Sequence, residues 1–240
     1  GQAVSDTATS LRTLMRRFVN RLDQAEFVRL LNRQFTELSE EGAFATAIVA
    51  TFFAPTRRLT VCNAGHPRPL IYRASERQWS LLSKGAGPPV RNLPLGWVAL
   101  AEYENFDVEL DPGDCLLSYT DALIEARDAE GMVLGEAGLL ELVQQLGAPG
   151  MRGPIDGLLK EISATHPANL SEDDVTVLVV RANGRTARHP FSAQIRAAGR
   201  FVVALVRALD RRAERPPFPD ATIANIGGAI VPALSQRWRA

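Results

Sequence analysis

Cysteine is scarce in this chain. Cys62 and Cys115 are the two among 240 residues, and neither has a neighbour at metal-ligand spacing. That argues against a disulfide framework or a cysteine-based zinc site, and it fits a reducing cytosol. Long apolar runs are missing too. None approaches the roughly 18 residues of a spanning helix, and no charged-then-apolar leader opens the sequence. The expectation is a cytoplasmic protein with no membrane span. Internal repeats and low-complexity tracts are also absent. Net charge is zero, with 27 basic and 27 acidic groups, but the balance is local: residues 184–240 hold ten Arg against three acids. The body before them therefore carries a net −7 and the tail a net +7.

What is present is ordinary globular material. Hydrophobic residues make up 46% and charged residues 22%, enough for one substantial core plus a tail. Leu11, Leu14, Met15, Phe18, Leu22, Phe27, Leu30, Leu31 and Phe35 recur at helical spacing, which predicts two amphipathic helices broken near 20–24. The period then changes. Phe44 to Phe53, Leu59 to Cys62, Leu70 to Arg73 and Trp79 to Leu82 are short, β-branched or aromatic, and separated by turn residues, the pattern of an antiparallel meander. Lys84 to Pro94, with three Pro and two Gly, reads as an irregular loop.

Tyr103 to Leu110 alternates apolar with polar, Asp111-Pro112-Gly113-Asp114 is a strong turn signal, and Cys115 to Tyr119 is a short buried strand. Two further helices follow, on Leu139 to Leu146 and Ile155 to Ile162, and Val175 to Val180 closes the domain as a nearly all-apolar strand. Helices, then strands, then helices and a last strand give an α+β layered fold rather than alternating βαβ units. After Asn183-Gly184 the texture shifts to an Arg-bearing amphipathic helix at Ile195 to Leu209, a Pro-rich break and a short apolar segment. That divides the chain into a domain over 1–183 and a basic extension over 184–240.

Asp121 ends a buried strand directly before a turn, and Asp173 and Asp174 precede the last strand. Strand ends gathered at one sheet edge can concentrate oxygen ligands suited to Mg²⁺ or Mn²⁺. Aspartates at strand ends also cap turns, so this pattern alone leaves both readings open. His66, one of three histidines, invites a general-acid role, but a hairpin residue bonded to backbone is the simpler reading. Glu125 reads as a helix-start acid, and Asn63 and Gly65 as turn formers with positive φ. The Arg-rich tail has no base-reading pattern and little aromatic interleaving, so it does not point to nucleic acid. A solvated amphipathic helix, docking on the acidic body and a weak membrane-surface contact remain its readings.

Six short motifs stand in order: Asn63-Ala64-Gly65-His66, Pro94-Leu95-Gly96, Pro112-Gly113-Asp114, Tyr119-Thr120-Asp121-Ala122-Leu123-Ile124-Glu125-Ala126, Leu134-Gly135 and Asp173-Asp174-Val175-Thr176. The series resembles that of PPM-type protein serine/threonine phosphatases of the SpoIIE-like branch, from Gly1 to about Arg181. The resemblance implies an antiparallel β-sandwich flanked by helix pairs, with two Mn²⁺ or Mg²⁺ ions at one end. It implies Asp121 and Asp173 as metal ligands and catalytic residues, with Asp174 supporting. The reaction it implies is hydrolysis of phosphoserine or phosphothreonine on a phosphorylated partner protein by a metal-activated water. In this family the partner is often a STAS-type anti-sigma-factor antagonist, and a sensor or receiver domain often precedes the phosphatase.

This sequence departs from the family pattern twice. The family's first motif, Gly-Asp-x-x-Gly-x-Gly, supplies a bridging aspartate, and here Gly1 matches only its last glycine. The expectation is an N-terminally incomplete domain, lacking its first strands and first motif, with little or no activity of its own. Ala122 stands where the family has Gly, which a turn accepts only if φ is negative there. A second function class stays open: a non-catalytic relative that binds a phosphoprotein or a kinase.

Overall fold

The computed structural model describes residues 8–9, 11–16, 23–39, 42–54, 56–83, 92–149, 155–171 and 173–184. The helix expected at Ile195 to Leu209 and most of the 84–94 loop lie outside the described residues. Residues 11–16 are helical. Helix α1 spans Gln24–Leu38; α2, Gly135–Leu146; α3, Ile155–Thr165. The strands are β1 Ala47–Phe53, β2 Arg58–Ala64, β3 Leu70–Arg73, β4 Gln78–Leu81, β5 Phe106–Glu109, β6 Cys115–Tyr119 and β7 Val177–Arg181. Among the described residues, no helix is long and apolar enough to cross a membrane.

The strands form two antiparallel sheets, ordered β1-β2-β5 and β4-β3-β6-β7. The single meander read from the sequence is thus corrected. β2 and β3 do not pair, because the residues between them cannot make a hairpin: Pro67 and Pro69 lack N–H donors, and Gly65, at φ +69°, turns the chain out of the first sheet. Glycine is obligatory there, since a Cβ would also lie 2.5 Å from the Pro94 ring.

Period-2 alternation sorts side chains into three cores. Leu59, Val61, Ile71, Leu116, Phe106 and Val108 fill the space between the sheets. Leu70, Tyr72, Cys115, Leu117 and Tyr119 point the other way, onto Leu139 and Val143 of α2 and Leu158 and Ile162 of α3. Cys62 and Ala64 face Val28, Leu31 and Phe35 of α1, with Leu14 beside them. The layers therefore run helix, sheet, sheet, helix pair: an α+β sandwich as the motif series implied. The last strand, read as nearly all apolar, is not a core strand: among the described residues β7 is a sheet edge, and its Leu178 and Val180 are exposed.

The Pro112-Gly113-Asp114 motif carries structure. The Asp114 carboxylate is buried and accepts bonds from Arg73 (2.8 Å), Ala74 N (2.9 Å) and Asp111 N (3.0 Å). Gly113, at φ +97°, donates to Ala182 O at 2.7 Å. One turn thus clamps the β3–β4 turn and the end of β7 together.

The same burial sets a pH signature. Loss of solvent pushes the Cys115 thiol up to about 11 and the Cys62 thiol and Tyr103 phenol up to about 12. In each case the fold favours the neutral form, so its contribution is complete below the ordinary pKa and is lost as pH rises through the raised one. Thermal stability should therefore hold from pH 7 to about 8.5 and fall between about pH 9 and 12. The fall should be shallower in Cys62→Ala and Cys115→Ala than in the wild type. Parallel profiles in all three, read by circular dichroism melts, would contradict this origin.

Candidate active site

β6 and β7 run antiparallel, with Tyr119 opposite Val177 as their last pair. Beyond that pair the strands are still tied. Thr120 N donates to Thr176 O at 3.0 Å, Thr120 Oγ1 donates to Asp174 O at 3.1 Å, and Thr176 N donates to Thr120 Oγ1 at 3.0 Å. One hydroxyl acts as donor and acceptor at once, so the Asp121 and Asp173–Asp174 segments leave the sheet side by side.

Asp121 opens a short 3-10 helix, Asp121–Leu123, whose N-terminus favours an anion. Ile124 N and Glu125 N both donate to the Asp121 carbonyl at 2.9 Å. Ala122 is buried and does not stand among the residues with positive φ, so its Cβ is tolerated as the sequence required. Glu125 lies beyond the helix C-cap Ile124, which corrects its reading as a helix-start acid. That place belongs to Asp121. Asp173 and Asp174 are exposed, and Asp173 Oδ1 accepts from Asp174 N at 2.8 Å.

The Asn63 to His66 loop stands at the same end of the sandwich. Asn63 closes a local ring, its Oδ1 accepting from His66 N and its Nδ2 donating to His66 O, each at 2.8 Å. Gly65 has the expected positive φ, but Asn63 does not; it belongs to β2 and turns the chain through its side chain. His66 Nδ1 lies 3.1 Å from Pro67 O. A carbonyl only accepts, so Nδ1 carries the proton. The backbone bond is that of the simpler reading, but it is made in a connection between the two sheets and not in a hairpin.

Two groups that sequence reasoning missed bind this loop to the acidic strand end. Tyr119 OH donates to Arg68 O at 2.7 Å. Burial, helped by the negative charge of Glu136, raises the phenol well above its ordinary range, so it stays a donor. Arg68 grips Glu136 in the first turn of α2 through its backbone N (2.7 Å), Nε (2.8 Å) and a terminal nitrogen (2.6 Å). The only available sequence signal was an acid opening the helix after Leu134-Gly135. The Leu134-Gly135 pair is itself stitched back: Leu134 N donates to Ala126 O and Gly135 N to Ile124 O, both at 2.8 Å. Asn63, Gly65, His66, Arg68, Ile124 and Glu136 together line a cleft of about 420 Å³.

Asp121 is exposed, and among the described residues no hydrogen bond or ion pair engages its carboxylate. Two hard oxygen donors on adjacent strand ends fit Mg²⁺ or Mn²⁺ in kind. In number they make up only part of a shell: among the described residues, no group of three or more His, Cys, Asp or Glu is gathered to hold a metal.

A family model described as stage II sporulation protein E (SpoIIE) matches residues 2–183. The curated protein IcfG of Synechocystis sp. is 26% identical over 157 residues, which are 65% of this chain and 24% of that protein. The RsbU and RsbW domains of Rv1364c from Mycobacterium tuberculosis give a TM-score of 0.55 at 23% identity, covering 85% of this chain and 56% of that one. The SiaA-PP2C domain of Pseudomonas aeruginosa gives 0.57 at 14% identity, covering 75% and 68%. At such identities the two structural likenesses speak for the fold, and this chain spans about a quarter of IcfG and just over half of the Rv1364c chain. The family match takes in every described strand and both acidic strand ends, and the chain accordingly belongs to the SpoIIE family.

Proposed function

We propose that this chain is the body of a metal-dependent protein phosphatase that hydrolyses phosphoserine or phosphothreonine on a partner regulatory protein. The observation that carries the reading is the Thr120 tie, which sets the Asp121 and Asp173 segments side by side at one exposed end of the sandwich. Asp121 and Asp173 would hold Mn²⁺ or Mg²⁺, with Asp174 supporting their segment. Bound there, two such ions supply an acidified water and charge to match phosphoryl oxygens.

The protein's own residues then do the positioning. Thr120 fixes the spacing of the two segments, and buried Ala122 and Leu123 anchor the turn that presents Asp121. The Asn63 ring and the Arg68–Glu136 grip hold the cleft wall. His66 shapes that wall, and no proton transfer is assigned to it. A STAS-type antagonist is the proposed substrate, and a sensor or receiver domain the proposed regulator. Two free, buried thiols agree with the reducing cytoplasm.

In the protein as it occurs in the cell, Asp121→Asn and Asp173→Asn should each abolish Mn²⁺-dependent hydrolysis of p-nitrophenyl phosphate with little change in melting temperature. Removing one of several neighbouring carboxylates relieves repulsion even as it removes a ligand. Activity within a factor of two of wild type in either variant would sink the ligand assignment. Phosphoprotein binding that persists with no metal-dependent turnover in the wild type would instead leave the binding-only reading.

Thr120→Val tests the tie itself. It should cost about 1–2 kcal/mol for the lost hydrogen bonds and lower metal affinity roughly 10–100-fold, as loss of a supporting group does. Thr120→Ser, which keeps the hydroxyl, should recover most of the affinity. Mn²⁺ titration by calorimetry reads both, and an unchanged affinity in Thr120→Val would remove the hydroxyl from the account.

A further inference from the structure

We infer that the hairpin of residues 126–134, which rises from the rim of the cleft, docks the phosphoprotein beside its phosphorylated residue. Met132 and Val133 take an apolar side chain of the partner, and Glu125 and Glu130 a lysine or arginine next to it. The inference rests on the phosphatase reading above and names the surface chemistry of its substrate.

The hairpin is rigid in itself. Asp128 N donates to Met132 O and Leu134 N to Ala126 O, both at 2.8 Å, around an antiparallel bridge between Arg127 and Val133. Gly131, at φ +81°, closes the three-residue loop. An isolated two-stranded ribbon is marginal in water, and side chains reinforce this one. Asp128 Oδ1 accepts from Glu130 N (3.0 Å) and Met132 N (2.7 Å), and a terminal nitrogen of Arg127 donates to Gly131 O (2.8 Å). The apolar residues are nonetheless left in solvent. Alternation sends Met132 and Val133 to opposite faces, and they are 67% and 54% exposed, so the ribbon stands clear of the body. An ordered element with its apolar side chains already in solvent binds without a heavy ordering cost.

Its mounting ties it to the candidate site on both sides. At the base, Gly135 N donates to Ile124 O and Ile124 N to Asp121 O, and Ile124 and Glu136 line the cleft. On the other flank stands Asn169, buried, in the loop that leads to Asp173. Its Oδ1 accepts from Arg127 N (2.8 Å), and its Nδ2 donates to Arg127 O (2.8 Å) and Ile162 O (2.9 Å). Leu170, the next residue, is held at φ +60°, a conformation that persists only where the surroundings impose it. The hairpin thus keeps a fixed place beside both acidic segments. From Ile124 to Asp128 is four residues, at most roughly 13 Å, and an interface of ordinary size, about 800 Å² a side, is roughly 32 Å across. A folded partner with its phosphorylated residue at the acidic end therefore covers the hairpin, which a small aryl phosphate does not reach. Charge specifies the rest. A phosphoserine brings roughly −1.5 to −2 charges at pH 7 to a body of net −7. Glu125 and Glu130 are exposed, and among the described residues no ion pair engages either, so a partner cation set against them offsets part of that repulsion.

Three phosphoserine peptides of about 12 residues test this, with Leu and Lys, Ser and Lys, or Leu and Glu placed within about five residues of the phosphoserine, a reach of roughly 17 Å. Binding is read by fluorescence anisotropy in Mn²⁺ and turnover by phosphate release, on the protein as it occurs in the cell. The Leu-and-Lys peptide should bind about tenfold more tightly than the Ser-and-Lys peptide and roughly threefold more tightly than the Leu-and-Glu peptide. The first preference should disappear in Met132→Ser/Val133→Ser and the second in Glu125→Gln/Glu130→Gln, with p-nitrophenyl phosphate turnover and melting temperature as in the wild type. Equal binding of the three peptides, or either preference kept in its variant, would overturn the inference even if every substrate is hydrolysed. Loss of aryl phosphate turnover in the Met132→Ser/Val133→Ser variant would overturn it too, by assigning the pair to the site itself. Preferences that follow the variants, with no Mn²⁺-dependent turnover of any substrate, would uphold the docking surface and refute the phosphatase reading.

Discussion

The arrangement depends on one hydroxyl group. Strand pairing between β6 and β7 ends at Tyr119 and Val177, and without a further tie two segments rich in carboxylates would diverge under their own repulsion. Thr120 prevents this: its N donates to Thr176 O, and its Oγ1 bonds to Asp174 O and Thr176 N together. A hydroxyl is the smallest group that can donate and accept at the same point. The acidic ends are therefore held by backbone geometry, and their side chains stay open to solvent.

Everything behind the site serves to keep that end of the sandwich in place. Sheet β4-β3-β6-β7 is buried between the other sheet and the α2–α3 pair, so β6 cannot shift without moving Leu117 and Tyr119 against Leu139 and Ile162. The Asp114 clamp fixes the far end of the same strand. Tyr119 then carries the order across to Arg68, and Arg68 to Glu136. A chain of part-buried polar contacts thus links β6 to the cleft wall.

Much of this was legible from residue order. The strands at Leu70 to Arg73 and Cys115 to Tyr119 were read with the bounds they have, because both are apolar runs bracketed by turn residues. The division into two sheets was not legible, since periodicity reports which face a residue takes and not which strand lies beside it. That depended on how Gly65, Pro67 and Pro69 end one sheet. Asn63 was misread as a positive-φ turn former because a side-chain ring and a backbone turn demand the same residue type. The Thr120 tie and the Arg68–Glu136 grip join residues 56 and 68 positions apart, and no local pattern announces such a pair. The motif series placed Asp121 and Asp173 at one site by resemblance; what the structure adds is the contact that brings their segments together.

Paramagnetic broadening by substoichiometric Mn²⁺, read on the backbone amides of the isotopically labelled chain, tests this account most directly, because it senses even weak binding and requires no turnover. The account predicts that amides of 120–123 and 173–176 broaden first and together, followed by 63–66, with the acidic strand end at 107–111 unaffected. Broadening that begins at 107–111, or that reaches 120–123 without 173–176, would contradict it.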